Sequence, residues 1–486
     1  MDRMEKTKII LFSFSIRLFS LNLRFTPSCK DYAHPWSDSC ISTTAGLGLH
    51  ALQESLRIYS TVYFITLLLR GKIPSKNDIK RTILSILQST AFLSWSAFTF
   101  SMFICSIRQI LGKFNILTVS FIPSFLSSFA AIILERPSRR PMLCLYVSNI
   151  ATEALFRMAV WRGYISPVPY GQVYIFALSM AILLYFFRSE KNKDDSIFRI
   201  IRILVGPYEE AKYLKRQSQL ERSQVQMSND HKDEREGSDK KGDDKSRRNG
   251  LFSIIWKALN VYKLLIDKLK AKSKHVSCPH SNSCVHYVLT GSAKLFSYGL
   301  CAQLALKIVF KLRSLIKKPR LLKATIFKKD NLNLALSLGG FSGLYKLMSC
   351  SLRRFYGYDS QYHAIPAGLI ASISFVMYPD ITIALYVMWK ALQILWNDGV
   401  ERGKVPEVKW FVIFLYCFST AVLFHVAIME PHNLRATYWK FLINLSGGRI
   451  ATMSRLPLDE FGLETSKALQ EVLRKTNTTD QYNYSF

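Results

Sequence analysis

Two cysteines and two histidines fall within nine residues, in Cys278-Pro-His280 and Cys284-Val-His286. Thiolate and imidazole are the ligand types that a tetrahedral zinc ion takes. The spacing departs from that of zinc fingers, whose ligand pairs are separated by an intervening fold. A related stretch nearer the N-terminus keeps only Cys29, His34 and Cys40. On sequence alone both stretches read as polar collars, and no metal or other cofactor is expected. Cys278, His280, Cys284 and His286 remain the zinc candidates. On a cytosolic face disulfides would be disfavoured as well.

The second chemical feature is a pair of opposite charges, Glu153 and Arg157, four residues apart inside an apolar stretch. On a helix that spacing lets the two neutralise each other, which a charge in the membrane interior requires. Gln393 and Asn397 replace the pair in the equivalent later stretch. Arg162 and Arg402 sit near the ends of these stretches, where long side chains snorkel to the interface. A membrane-embedded enzyme would concentrate His, Asp or Glu near one face. The nine histidines are scattered instead, so no catalytic residues are expected and the chain does not read as an enzyme.

The elements that position these residues are apolar blocks. Ile83 to Cys105, Phe114 to Leu134, Gln172 to Phe187, Asn333 to Cys350 and Trp410 to Met429 are long and nearly uncharged. A helix rises about 1.5 Å per residue against a hydrocarbon layer about 30 Å thick, so such blocks suit bilayer-crossing helices. None shows the polar face of a soluble amphipathic helix. Cys105, Cys144, Cys301, Cys350 and Cys417 lie in or at the ends of such blocks and read as packing residues. The formal charge of +31 comes mostly from short runs between blocks, among them Arg70, Lys72, Lys76, Lys80 and Arg81. That basic face suits anionic lipid headgroups, and no nucleic-acid-binding pattern accompanies it.

The blocks repeat. Leu145-Tyr146-Val147 returns as Leu385-Tyr386-Val387, and Cys105-Ser-Ile-Arg108 as Cys350-Ser-Leu-Arg353. Gly112 answers Gly357, Gly206 answers Gly447, and Pro35-Trp-Ser-Asp-Ser-Cys40 answers Pro279-His-Ser-Asn-Ser-Cys284. Matches in order at shifts of 240 to 245 mark a tandem duplication. The organisation that follows is an N-terminal extension (1–25), a first Cys-containing stretch and membrane repeat (26–206), a charged linker (207–250), a second such repeat (251–448) and a C-terminal tail (449–486). The linker, most polar from Lys215 to Gly250, cannot bury enough apolar surface to hold a fold and is expected to be disordered. Loop 70–81 has five Lys or Arg and loop 313–329 has seven. Keeping both on the cytosolic face requires an even number of crossings per repeat. The expected fold is therefore an all-α membrane protein of two parallel-oriented repeats. Each has about four transmembrane helices plus a short interfacial helix, the first of these at Leu56 to Leu69. Gly339, Gly340 and Gly343 open one span and suit close helix packing.

The residues that carry the repeats resemble the transmembrane protein 135 family, also called peroxisomal membrane protein 52. The similar stretches include His34-Pro-Trp-Ser-Asp-Ser-Cys40, Leu52-Gln-Glu-Ser-Leu-Arg-Ile-Tyr59, Ile133-Leu-Glu-Arg-Pro-Ser-Arg-Arg140, Ala151-Thr-Glu-Ala-Leu-Phe-Arg-Met158, His363-Ala-Ile-Pro-Ala-Gly368 and Tyr438-Trp-Lys-Phe-Leu442. The resemblance spares the linker and the N-terminal extension. It implies a multi-pass protein of peroxisomal and mitochondrial membranes that regulates mitochondrial fission and fusion, peroxisome organisation and lipid handling. It also implies distant kinship with the four-helix Tim17-type translocase units. Membrane lipids and the organelle-division machinery are the expected partners, nucleic acid is not, and the oligomeric state stays open. The alternative function is a Tim17-like channel, or a lipid or sterol transporter, conducting substrate through the duplicated bundle.

Overall fold

The computed structural model describes residues 26–69, 74–189, 195–210, 264, 267–271, 274–317, 326, 328, 330–482 and 484. The N-terminal extension and the linker from Lys215 to Gly250 lie outside the described residues. Those described fold as helices with no strand. In chain order the main helices are α1 (Cys40–Leu69), α2 (Lys76–Leu111), α3 (Phe121–Ile132), α4 (Arg140–Trp161), α5 (Gly171–Arg188) and α6 (Ser196–Val205). They continue as α7 (Cys284–Lys317), α8 (Asn331–Tyr356), α9 (Ala364–Ala371), α10 (Ile381–Glu401), α11 (Phe411–Met429), α12 (Ala436–Ser446) and α13 (Thr465–Thr476).

Local chemistry sets the helix ends. Ser75 starts α2 with a capping box, its hydroxyl accepting from Asp78 N at 3.2 Å while its own N–H reaches the Asp78 carboxylate at 3.2 Å. Gly112 ends α2 and Gly357 ends α8, at φ 65° and 76°, each donating its N–H at 2.9 Å to the carbonyl of an arginine four residues back. These are matched positions in the two sequence halves.

Among the described residues four helices, α2, α4, α5 and α11, are long and apolar enough by themselves to cross a membrane, against the eight expected. The block expected from Phe114 to Leu134 yields only the 12-residue α3, about 18 Å of helix, too short for a full crossing. Its N-terminal part instead forms an Asn115–Thr118 turn, in which the Asn115 side chain accepts from Thr118 N at 2.8 Å. The first block is likewise not a short interfacial helix. Leu56 to Leu69 is the second half of the 30-residue α1. Its polar first half is held on α2 by a Thr44–Ser101 hydroxyl bond of 3.2 Å and by Gly48 against the Phe98 ring.

The chain forms two compact units that cut across the sequence halves. Unit 1 comprises residues 1–167 and 403–486, unit 2 residues 168–402. Each unit thus takes its final apolar helix from the other half: α11 enters unit 1 and α5 enters unit 2. In unit 1, Cys144, Val147 and Ile150 of α4 share a core with Cys417, Leu423 and Val426 of α11 and with Trp439 of α12. In unit 2, Met180, Leu183 and Leu184 of α5 pack with Phe341, Ala367 and Phe375. Composition alone marks α5 and α11 as buried apolar helices; it does not say in which core each is buried.

Unit 2 is assembled around close backbone approach. A Cβ on Gly339 would lie 2.9 Å from Phe296 Cβ and 3.1 Å from the Ser292 carbonyl, while the Ser292 hydroxyl donates to Gly339 O at 2.8 Å. Gly343 and Gly340 face Ser292 and Ser374 as closely. Gly339→Val should therefore push α7 and α8 apart and lower stability by about 1–3 kcal/mol. Thermal melting of the detergent-purified protein reads this directly, and an unchanged midpoint would show that the contact is not tight.

Candidate metal centres and the buried charges beside them

Each unit brings three cysteines and one histidine to one point. In unit 1 they are Cys29, His34, Cys40 and Cys105, in unit 2 Cys278, His280, Cys284 and Cys350. Within each set every ligand atom lies within 4.8 Å of every other. The elements that deliver them correspond. The loop before a long helix supplies the first cysteine and the histidine. The first residue of that helix, Cys40 of α1 or Cys284 of α7, supplies the third ligand, and the last two turns of the next helix supply the fourth. Cys40 and Cys284 each open a helix, at the positive end of its dipole.

Both histidines are oriented from behind. His34 Nδ1 lies 2.8 Å from Ser37 O and His280 Nδ1 lies 2.6 Å from Asn282 O. A carbonyl only accepts, so Nδ1 carries the proton in both, and each Nε2 turns its lone pair towards the sulfurs. His34 Nε2 is 3.3 Å from Cys40 Sγ and His280 Nε2 is 3.6 Å from Cys350 Sγ. Cys284 and Cys278 are 3.8 Å apart at sulfur, and all nine cysteines are free. A hydrogen bond from Cys105 is the largest influence pulling the Cys29 thiol down to about 5, and one from Cys350 pulls Cys278 down to about 4. Among the sequence candidates, Cys278, His280 and Cys284 come together and His286 does not; its Nε2 faces Thr290 Oγ1 at 3.3 Å. Cys350 takes the fourth place, and Cys105 completes the first set, so neither is only a packing residue. Their signal was the Cys-Ser-x-Arg repeat itself, which preserves a cysteine at matched positions in both halves.

The buried charges are paired across the halves. Glu153 meets Arg157 as the spacing suggests, but its second oxygen meets Arg435, which precedes α12. Arg162 does not snorkel. It binds Glu430 at the end of α11, with Nε to Oε1 at 2.9 Å, and Glu430 also accepts from Asn433 at 2.9 Å. Arg402 pairs locally with Asp398 at 2.7 Å. In unit 2 Arg353 grips Glu209 with two bonds of 3.0 and 2.7 Å and Asp359 with two of 2.9 and 3.4 Å. Arg188, at the end of α5, joins the same Glu209 and Asp359. Where Gln393 stands in the second half, Lys390 donates to it at 3.0 Å and to Asp195 at 2.8 Å. Of the basic face, Lys76, Lys80 and Arg81 are exposed on the first turns of α2, while Arg70 and Lys72 lie outside the described residues.

Unit 1 also holds a partly open cavity of about 260 Å³. Phe92, Phe100, Tyr146, Phe424 and Leu442 give it an apolar wall, and Arg449 stands among the lining residues. The Arg449 guanidinium lies 4.6 Å from the Tyr484 ring and reaches Ser446 O at 3.3 Å, while its Nε is buried without a hydrogen-bond acceptor.

Glu209 gives the clearest pH dependence. Burial would raise its carboxyl, but Arg353 and Arg188 outweigh that and hold it down at about 2. A carboxylate depressed on folding contributes stability that is present above its unfolded value and lost as pH falls through the folded one. Unit 2 should therefore lose on the order of 3 kcal/mol between pH 5 and pH 2 through this group. Glu209→Gln should lower the melting temperature at pH 7 and flatten its fall on acidification. Parallel pH curves for wild type and variant would remove Glu209 from the acid response.

No solved structure matches the chain. Residues 27–160 match the family model described as the N-terminal cysteine-rich region of Transmembrane protein 135, a region that holds the whole first Cys/His set. Over that region the chain is similar to the Transmembrane protein 135 family.

Proposed function

We propose that this chain is a non-catalytic, multi-pass protein of peroxisomal and mitochondrial membranes that handles lipid by holding an apolar chain in the unit 1 cavity. Through that handling it regulates mitochondrial fission and fusion and peroxisome organisation. The cavity is the observation that carries the lipid part. An apolar wall recruits acyl or sterol carbon, and one buried cation with an unused donor fixes the polar end. Each Cys/His set offers four protein ligands, which would leave a metal held there no open position for a substrate. The organelles and the link to division rest on the family resemblance. On this reading the two halves are copies in the same orientation, with α3 and its flanking turn counted as the fourth crossing of the first half; loops 70–81 and 313–329 and the linker then face the cytosol, where their basic residues meet anionic headgroups. Labelling of single cysteines at Lys76 and Lys318 from the same side is the expected result; labelling from opposite sides would reverse one half.

The purified protein, photolabelled with a diazirine fatty acid or sterol, should carry the label on cavity residues such as Phe100 or Phe424. Ala97→Trp, which fills the cavity from α2, should cut labelling at least several-fold with little change in melting temperature. Undiminished labelling in that variant would place the lipid elsewhere and remove the basis for the reading.

A further inference from the structure

We propose that each unit binds one zinc ion, held by Cys29, His34, Cys40 and Cys105 in unit 1 and by Cys278, His280, Cys284 and Cys350 in unit 2. Zinc–sulfur bonds of about 2.3 Å and zinc–nitrogen bonds of about 2.0–2.1 Å in a tetrahedron put two sulfurs about 3.8 Å apart and a sulfur about 3.6 Å from a nitrogen. The Cys284–Cys278 separation is 3.8 Å and the Cys350–His280 separation is 3.6 Å. His34 and Cys40 stand slightly closer, at 3.3 Å. Both imidazoles have the tautomer that a metal-bound histidine needs, fixed by a backbone carbonyl behind the ring.

The second argument is that two different loops reach one arrangement. In the first half four residues separate Cys29 from His34 and five separate His34 from Cys40; in the second half the gaps are one and three. The stretches 35–40 and 279–284 align without a gap, yet the histidine and the first cysteine come from different positions in each, and both sets still bring four donor atoms together. A disulfide would join two of the sulfurs at about 2 Å and leave the third thiol and the imidazole without a role. Three sulfurs and one nitrogen in a closed set suit zinc and exclude the oxygen-preferring Mg²⁺ and Ca²⁺. Binding releases to solvent the thiol protons that each set still carries, with no change of redox state. Zinc here is structural: it ties the loop before α1 to the end of α2, and the loop before α7 to the end of α8.

The test is metal analysis of the full-length protein, purified in detergent without chelator from zinc-replete cells, with zinc, iron and copper measured per chain. Two zinc ions are expected. Cys105→Ser and Cys350→Ser should each leave one, and His286→Ala should keep two. A count below two, iron or copper in place of zinc, or two zinc ions retained in a folded Cys105→Ser or Cys350→Ser chain would overturn the assignment. Should those variants fail to fold, alkylation of the wild type decides. Exposed Cys301 should react at once, whereas the six ligand thiols should react only after a chelator strips the metal. Reaction of all six without chelator would equally overturn it.

Discussion

A charge at the end of a buried apolar helix must meet its opposite, and that requirement governs which helix goes where in this protein. The helices α5 and α11 are both apolar, of similar length and close in sequence position within their halves. Their ends carry opposite charges: Arg188 closes α5, and Glu430 follows α11. Arg188 enters the unit that offers Glu209 and Asp359, and Glu430 enters the unit that offers Arg162. Leaving either charge buried and unpaired typically costs about 3–5 kcal/mol. With the exchange come the two cores, the cavity walled by both α2 and α11, and the Arg435 contact to Glu153.

The Cys/His sets answer a different demand. A helix hairpin such as α1–α2 has few means of fixing its open end, where a polar loop enters and small residues predominate. In each unit the converging donors sit at that open end, the helix cysteine about one turn before the arginine and about two turns before the glycine that ends the second helix. Cys105, Arg108 and Gly112 act in succession: donor, clamp on the incoming chain at Pro27 O (2.9 Å), and stop. In the second half Cys350, Arg353 and Gly357 repeat the order, with the arginine turned to carboxylates instead of to carbonyls. The second arginine thus became the centre of the buried network in unit 2 while keeping its place in the helix.

What the sequence disclosed and what it hid divide along physical lines. Apolar blocks, glycines at tight crossings and the Glu153–Arg157 spacing are local, and each was legible because neighbours along the chain decide it. The fourth donor of each Cys/His set lies 65 or more residues from its fellows, in a stretch where cysteine also serves as an ordinary packing residue. Only its recurrence with a neighbouring arginine marked it. Arg162 and Glu430 are 268 residues apart, and no periodicity links them. The shortness of α3 was hidden for another reason: Asn115 and Thr118 close a turn inside a stretch whose mean composition is that of a spanning helix. Mean apolarity reports burial. It does not report where a few polar atoms break the backbone.

The exchange of helices also sets a schedule. Synthesis runs from the N-terminus, and at about 5–20 residues per second the stretch between Arg162 and Glu430 takes on the order of tens of seconds to make. Throughout that interval unit 1 lacks α11 and α12, so Arg162 has no carboxylate and one wall of the cavity is missing. Unit 2, contiguous from residue 168 to 402, closes first, although it begins later in the chain. The nascent first half is thus an unfinished membrane bundle exposing a guanidinium and an open apolar trough. A chain that stops near residue 402 stays in that state, with the marks by which membrane quality control distinguishes an incomplete protein from a finished one.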